Sequence, residues 1–446
     1  MLLEFKVSNY RSIGEEEILS LIPASMQKEH PENIISKGGY KVLNAIGLYG
    51  NNASGKSNLL RSMSLFDKIL HLSARTPSTT KLPYDPFLLR EGWENKPTKF
   101  EISFLAKGDV KYRYGFTFNQ EEIVTEWLYR KAVGREVVLF LREKDTIDVS
   151  SAFKGSNKLF DAAVEATRPN ALFLSFCDVF NIEEAKAIFQ WLKYFYMLDG
   201  LRTEAESWQT VSMWDKNEAD RELIKKFFDR VNLDIDGLDV ITKDFDAADL
   251  PNEISDSMRN MLTHQLSGKK SYTILARHRI YSADGEPTNK NISWKMEERE
   301  SAGTNKIFHL IGPVLRALTH GGVLIIDEIE AKMHPLLTLD TINFFLDKTT
   351  NPKGAQLIFA THDTNLLTYS NLRRDQIYFV EKNKWESTET FSLSDFVYLP
   401  QTGLSKPVKE RPDADKEKRY IEGRYGAVPV FGNFQPIESN TNGKKR

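Results

Sequence analysis

Cysteine is almost missing from this chain: Cys177 stands alone among 446 residues. That excludes a disulfide framework and a cysteine-built metal site, and it fits a reducing cytoplasm. Long apolar runs are missing as well. None approaches the roughly 20 residues of a membrane span. The opening Met1-Leu2-Leu3-Glu4-Phe5-Lys6-Val7 alternates and carries charge, so it reads as a strand and not as a secretory signal. Net charge is scarce: −2 overall, with 27% charged and 41% hydrophobic residues. Such a balance gives no global attraction to nucleic acid or to an anionic membrane, and leaves open only a local basic patch. The eight histidines show no metal-ligand spacing, and no repeat of solenoid period is present. What remains is a globular, cytoplasmic protein long enough for two or more lobes.

What is present is concentrated. Gly50-Asn51-Asn52-Ala53-Ser54-Gly55-Lys56-Ser57 matches the phosphate-loop pattern G-x-x-x-x-G-K-[ST] at every fixed position. Average composition yields a chance match in roughly one of several tens of chains this long. Context argues against chance. Val42 to Tyr49 reads as a short buried strand, and Asn58 to His71 places Leu59, Leu60, Met63, Phe66, Ile69 and Leu70 at near-helical spacing. Gly50 and Gly55 let the backbone curl so that successive N–H groups point at a phosphate, and the new helix adds its positive end. Lys56 is expected to reach the β/γ-phosphates and the Ser57 hydroxyl to ligate Mg²⁺.

A second group of motifs lies far downstream. Gly322-Val323-Leu324-Ile325-Ile326-Asp327-Glu328 is an apolar strand ending in two acids. Beside a phosphate loop, the first acid can hold the Mg²⁺ shell and the second can polarise the attacking water. Upstream, Ser301-Ala302-Gly303-Thr304 opens a helix and leaves N–H groups free at its positive end. Taken alone, this is an ordinary N-cap. Glu330 and His334-Pro335 follow the acids, and strand Leu357 to Ala360 runs into Thr361-His362-Asp363, which could place His362 beside a γ-phosphate.

Elsewhere, Leu2–Val7, Phe100–Ala106, Lys111–Phe118, Ile123–Arg130 and Glu136–Leu141 alternate like antiparallel strands. Arg75 to Trp93 is a connector rich in Pro and Thr. Between about 150 and 265 helical spacing takes over, in Ile182–Tyr196 and Asn217–Val231. The aromatic stripe Phe189, Trp191, Tyr194, Phe195, Tyr196 is expected to pack between helices, with a partner-docking face as the alternative. Beyond Pro400 the tail is rich in Pro, Lys, Glu and Gly and is expected to be extended or only partly ordered. Lys269, Lys270, Arg277, His278 and Arg279 form a modest basic cluster; a solvated strand edge is its plainer reading, DNA phosphates the sharper one.

In this order, the phosphate loop, the Ser-x-Gly helix start, Ile-Ile-Asp-Glu, Glu330 with His-Pro and Thr-His-Asp resemble the ABC-type ATPase heads of the SMC, Rad50, RecF and OLD-like branch. The opening strand with Asn9-Tyr10-Arg11-Ser12 is similar too. The tail Lys418-Arg419-Tyr420-Ile421-Glu422-Gly423-Arg424-Tyr425-Gly426-Ala427-Val428-Pro429 resembles the end of RloA/AbiL-type phage-defence ATPases. The resemblance covers about 1–140 and 270–400 and implies an α/β fold: an ABC-ATPase head with a phosphate-loop core sheet, an antiparallel β subdomain and a helical insertion. The implied divisions are 1–140, with the phosphate loop; 141–268, mainly helical; 269–400, with signature, acids and switch histidine; and 401–446, a candidate docking tail.

The resemblance further implies a composite site in which two heads sandwich two ATP molecules. Gly50 to Asn58 and Arg11 would hold ATP. Ser301 and Gly303 would contact the γ-phosphate across the dimer. Ser57 and Asp327 would hold Mg²⁺, Glu328 would be the catalytic base, Glu330 a dimer-contact acid and His362 the switch histidine, with Lys56 supporting catalysis. The signature departs from Ser-Gly-Gly-Gln, and only Gln120, at a strand turn, offers itself for the glutamine loop. The function implied is that of an ATP-hydrolysing subunit in an anti-phage, abortive-infection system. It would form homodimers or larger even-numbered assemblies and control a separate effector, an RloB-like Toprim-type nuclease. The alternative is a RecF-like DNA-repair ATPase that senses DNA ends. No membrane partner is expected.

Overall fold

Short apolar runs without alternation mark strands buried on both faces, and such runs form the middle of the six-stranded central sheet. In a computed structural model, which describes residues 1–25, 28–201, 207–231, 233, 235–250, 254–268, 270–398 and 408–428, its order is Phe195–Asp199, Val323–Asp327, Gln356–Ala360, Ala45–Tyr49, Ile377–Lys382 and Thr388–Ser392. The first five are parallel and the last is antiparallel. Successive residues serve opposite faces. Val323, Ile325 and Ile358 join one core with helix Lys56–Leu72. Leu324, Ile326, Leu357 and Phe359 join a second core with helices Ala302–His320 and Pro335–Leu346.

The first core is closed by a seven-stranded antiparallel sheet. Its order is Thr146–Val149, Val137–Glu143, Ile123–Lys131, Lys111–Phe118, Thr98–Leu105, Leu2–Ser8, Glu17–Ser20. Phe5, Phe66, Phe100 and Phe116 interlock between this sheet and helix Lys56–Leu72. A separate three-stranded sheet, Gly237–Asp244, Lys270–Tyr281 and Pro287–Lys295, leads into the helix that starts at Ala302. The fold is an α/β head: a core sheet that carries the phosphate loop, an antiparallel β subdomain and inserted helices.

Two segments differ from the sequence reading. Between 141 and 268 helices are present, but so are strands, and Phe195–Asp199 forms the edge of the central sheet. The helix expected over 182–196 stops at Leu192, because Phe195 pairs in parallel with Val323. Its aromatic stripe is core: Trp191 stacks on Phe104 at 4.1 Å between ring centres. The tail also differs. Within 408–428 it folds back, with Tyr420 and Tyr425 buried and both rings stacked on Phe379 of the central sheet. Two tyrosines in a charged stretch left too weak an apolar signal to be read as core. Pro429 and the residues after it lie outside the described chain. No helix among the described residues is long and apolar enough to cross a membrane.

Candidate functional site

The phosphate loop leaves strand Ala45–Tyr49 and enters helix Lys56–Leu72 at Gly55, whose φ of 111° suits glycine. A neighbouring hairpin braces it. A Cβ at Gly50 would fall far inside contact with the Val380 carbonyl, and one at Gly55 inside contact with the Thr388 hydroxyl. Thr388 Oγ1 donates to Ser54 O at 2.9 Å and lies 2.8 Å from Ser12 Oγ, which accepts from Asn58 Nδ2 at 2.9 Å. Thr388 was not anticipated, since it belongs to a segment far away in sequence, and Ser12 was singled out only as part of Asn9-Tyr10-Arg11-Ser12. Arg11, at φ 51°, donates to Asp85 Oδ2 at 2.8 Å. Lys56 curls over its own loop and donates to Gly50 O at 2.7 Å and Asn51 O at 3.1 Å. Burial brings its ammonium down to about 8, against the pull of Asp327, Glu330 and Glu328.

Register places the remaining motifs beside this loop. Ala360 pairs with Leu48, and Ile326 with Phe359, so the phosphate loop, the His362 turn and the acids Asp327-Glu328 leave adjacent strands at the same edge. Burial pushes the Asp327 carboxyl up, while a hydrogen bond from Ser57 and the charges of Arg61 and Lys56 pull it down. Its Oδ1 is buried and has no hydrogen-bond partner among the described residues. Glu328 sits at φ 49°, left-handed for a non-glycine residue. Burial, then Asp327, Glu330 and Asp199, push its carboxyl up.

Glu330 joins two of these segments. One carboxylate oxygen accepts from the Thr361 hydroxyl at 2.8 Å and the other from His362 N at 2.8 Å. Both bonds lie within one chain. Burial, then Lys56, push the exposed His362 ring down. His334 caps helix Pro335–Leu346 by accepting from Leu336 N.

Ser301 caps helix Ala302–His320: its Oγ accepts from Thr304 N at 3.0 Å, and the residue is exposed. Gly303 is the second residue of that helix, its Cβ position 3.2 Å from Lys332 O. The turn is held from behind. Glu300 Oε1 bonds to His278 Nε2 at 2.8 Å and to Trp294 Nε1 at 2.7 Å. Lys306, on the same helix, is buried and donates to the carbonyls of Glu328, Ile329 and Ala331. A lysine interrupting an apolar helix face was the available signal for it.

Asp199 was also missed, because its strand read as helix. It pairs in register with Asp327, and Gly200 N donates to Asp327 O at 2.7 Å. Gln120 lies in the turn between strands Lys111–Phe118 and Ile123–Lys131, where its carbonyl accepts from Leu82 N. The basic cluster is largely neutralised: Arg277 pairs with Asp239, Arg279 with Asp236 and His278 with Glu300. Lys269 lies outside the described residues.

A phosphate loop and a strand ending in two acids, one strand apart on a parallel sheet, define a phosphate-loop ATPase head. Residues 45–165 and 214–368, more than half of the chain, match the family described as "AAA domain, putative AbiEii toxin, Type IV TA system". The chain belongs to that family of nucleotide-binding, AAA-type ATPases.

No curated protein matches the chain. Among solved structures, the SMC head domain from Thermotoga maritima is similar at 12% identity and TM-score 0.37, covering 88% of this chain and 98% of that one. The recombination mediator protein RecF-ATPrS in the RecFOR pathway is similar at 13% and 0.34, covering 87% and 98%. The Smc head domain with a coiled coil and joint from Pyrococcus yayanosii is similar at 11% and 0.38, covering 95% and 99%. These likenesses are too distant to carry residue roles.

Proposed function

We propose that the chain binds ATP with Mg²⁺ on its phosphate loop, hydrolyses it, and uses the cycle to control a separate effector protein. The observation that carries this reading is the meeting of Lys56, Asp327 and Glu328 at one edge of the parallel sheet. Residues 1–140 and 269–400 supply the two ATPase lobes, and 141–268 is inserted between them, giving, among the described residues, only its strand Phe195–Asp199 to the central sheet. The buried oxygen of Asp327 that finds no hydrogen-bond partner among the described residues, and the Ser57 hydroxyl whose pull lowers that carboxyl, fit a Mg²⁺ ion, which binds through one or two carboxylates, water and phosphates. The bound ion would neutralise charge developing on the phosphates.

This chain's residues do the rest. Gly50 to Asn58 cradle the phosphates with backbone N–H groups, and Arg11 stands at the same loop through the Ser12 bond to Asn58. Lys56 exchanges the carbonyls of Gly50 and Asn51 for phosphate oxygens. Glu328, its carboxyl pushed up toward neutrality, takes the proton of the attacking water. His362 orients the γ-phosphate from the neighbouring strand. Ser301 and Gly303, exposed or half-exposed at the start of a 19-residue helix, close the site on a second copy, so the working unit is a homodimer or a larger even-numbered assembly.

Glu328→Gln is expected to retain ATP, accumulate as a closed dimer by light scattering and lose turnover by about 100-fold or more. Wild-type turnover in this variant would falsify the base assignment. Support for a separate effector comes from the family description, which names a toxin–antitoxin system, and from the phage-defence resemblance of the tail. A Toprim-like nuclease recovered with the chain in an ATP-dependent, even-numbered complex supports that role. Recovery of DNA alone, with hydrolysis stimulated by DNA and steeply weakened by salt, favours the RecF-like reading. The acids paired with Arg277 and Arg279 weigh against it.

A further inference from the structure

The turn that carries His362 is held by two carboxylates from opposite directions. Glu330 takes the Thr361 hydroxyl and the His362 N–H, as described. Just downstream, Thr364 Oγ1 donates to Glu417 Oε1 at 3.0 Å and Thr368 Oγ1 donates to Glu417 Oε2 at 3.2 Å. Between these clamps the turn is bonded to itself. Asp363 N donates to Thr361 Oγ1 at 3.0 Å and Asn365 N to Asp363 Oδ1 at 3.0 Å. A shift at Thr364 is therefore passed to His362 through a few short bonds.

Glu417 lies on the tail helix Lys416–Ile421, which is anchored without it. Lys416 Nζ donates to Leu372 O at 3.3 Å. Tyr420 and Tyr425 stack on Phe379, and the Tyr425 hydroxyl donates to Glu410 Oε2 at 2.8 Å. Ala427 N reaches Glu381 Oε2 at 2.9 Å. Phe379 pairs with Tyr49, the last strand residue before the phosphate loop, and the next residue, Val380, packs its carbonyl against Gly50. The tail thus rests on the strand that braces the phosphate loop and extends one bidentate carboxylate to the His362 turn. Packing alone did not require an acid there, since Tyr420 and Tyr425 already fix the helix.

We infer that Glu417 is a positioning residue of the ATP site, fixing the His362 turn for hydrolysis from the C-terminal tail. The inference rests on the ATPase reading above and adds to it a second acid, outside the ATPase motifs, on which turnover depends. Glu417→Ala is expected to lower kcat about tenfold while KM for ATP and the affinity for a non-hydrolysable analogue stay within about twofold. Glu417→Gln recovers part of the loss, because its amide oxygen still accepts from one threonine. In a His362→Ala background, Glu417→Ala adds less than about a twofold change, the mark of two residues acting through one path.

Thr364→Val with Thr368→Val tests the same contact from its other side and reproduces the Glu417→Ala loss, even if that variant folds poorly. Equal losses in both backgrounds, or wild-type kcat in Glu417→Ala while Glu328→Gln is inactive, would overturn the positioning role and leave the ATPase reading standing. Absence of hydrolysis by the intact protein would overturn both.

Discussion

Lys56 gives the most direct pH signature at the scale of single residues. Burial holds its ammonium near 8, and it must be charged to hold phosphate. Below that value the charge is present in the free protein. Above it, ATP must bring a proton along, so affinity falls as pH rises past about 8. Calorimetry at pH 8.5 in two buffers of different ionisation enthalpy is expected to show net proton uptake on binding, and affinity independent of pH from 7 to 9.5 would rule this out. Glu328 acts in the other direction. Its carboxyl is raised, and the base works deprotonated, so hydrolysis declines on acidification at a pH above the usual glutamate range. The motif residues were legible because a phosphate loop fixes residue type and spacing locally. Asp199, Lys306, Thr388 and Glu417 were not, since each matters through a partner far away in sequence. Gly200 belongs with them. A Cβ there would run into the carbonyls of both Asp327 and Glu328. Gly200→Ala is expected to reduce turnover at least about tenfold, since a misplacement of about 1 Å is costly in an active site. An unchanged kcat would show that the edge strand yields freely.

Helix Ala302–His320 shows how one element carries a local irregularity. Pro313 cannot donate an N–H and would break a helix interior. The structure manages this with a side chain from another helix. Thr210 Oγ1 donates to Phe308 O at 2.7 Å and accepts from Gly312 N at 2.9 Å, inserting a hydroxyl into the ladder one turn before the proline. Gly312 allows the approach, for its Cβ position overlaps the backbone of Thr210. Thr210→Val leaves a buried carbonyl and a buried N–H unpaired. It is expected to cost about 2–4 kcal/mol in urea unfolding, since each such group costs about 1–3 kcal/mol; a cost under about 0.5 kcal/mol would mean that the ladder closes by itself. The helix itself was legible, from its N-cap serine and apolar period. Its repair was not, since nothing local links Thr210 to Pro313. Strand Phe195–Asp199 was lost for a related reason: five residues of a buried strand continue the apolar count of the helix before them, and periodicity cannot separate the two.

For the whole molecule, the tail decides whether ATPase core and regulatory surface are separable. A chain rich in Lys, Glu and Gly suggested a detachable docking segment, yet residues 410–427 supply part of the core. Glu410 is buried, takes the Tyr425 hydroxyl and the Arg419 guanidinium, and offers its carbonyl to Arg374. Removing 410–446 would expose the Phe379 face and take one acceptor from Arg374, leaving it Glu29. A chain ending at 409 is therefore expected to lose several kcal/mol, since each large buried aromatic side chain is worth about 3–5 kcal/mol, and to melt well below the full protein. A chain ending at 428 keeps every described tail contact and is expected to melt with the full protein and hydrolyse ATP at its rate. This pair of truncations separates two roles that a single deletion confounds. If the chain ending at 428 remains stable and active but no longer recovers its effector, docking lies beyond 428. If it recovers the proposed effector normally, docking lies on the folded part, where Ile421 and Tyr369 stand exposed on the tail helix and on the short helix Leu366–Tyr369, which Glu417 ties together. The proposed effector, seated there, would press on the bonds from Thr364 and Thr368 to Glu417, and its binding should change kcat in the full protein but not in Glu417→Ala.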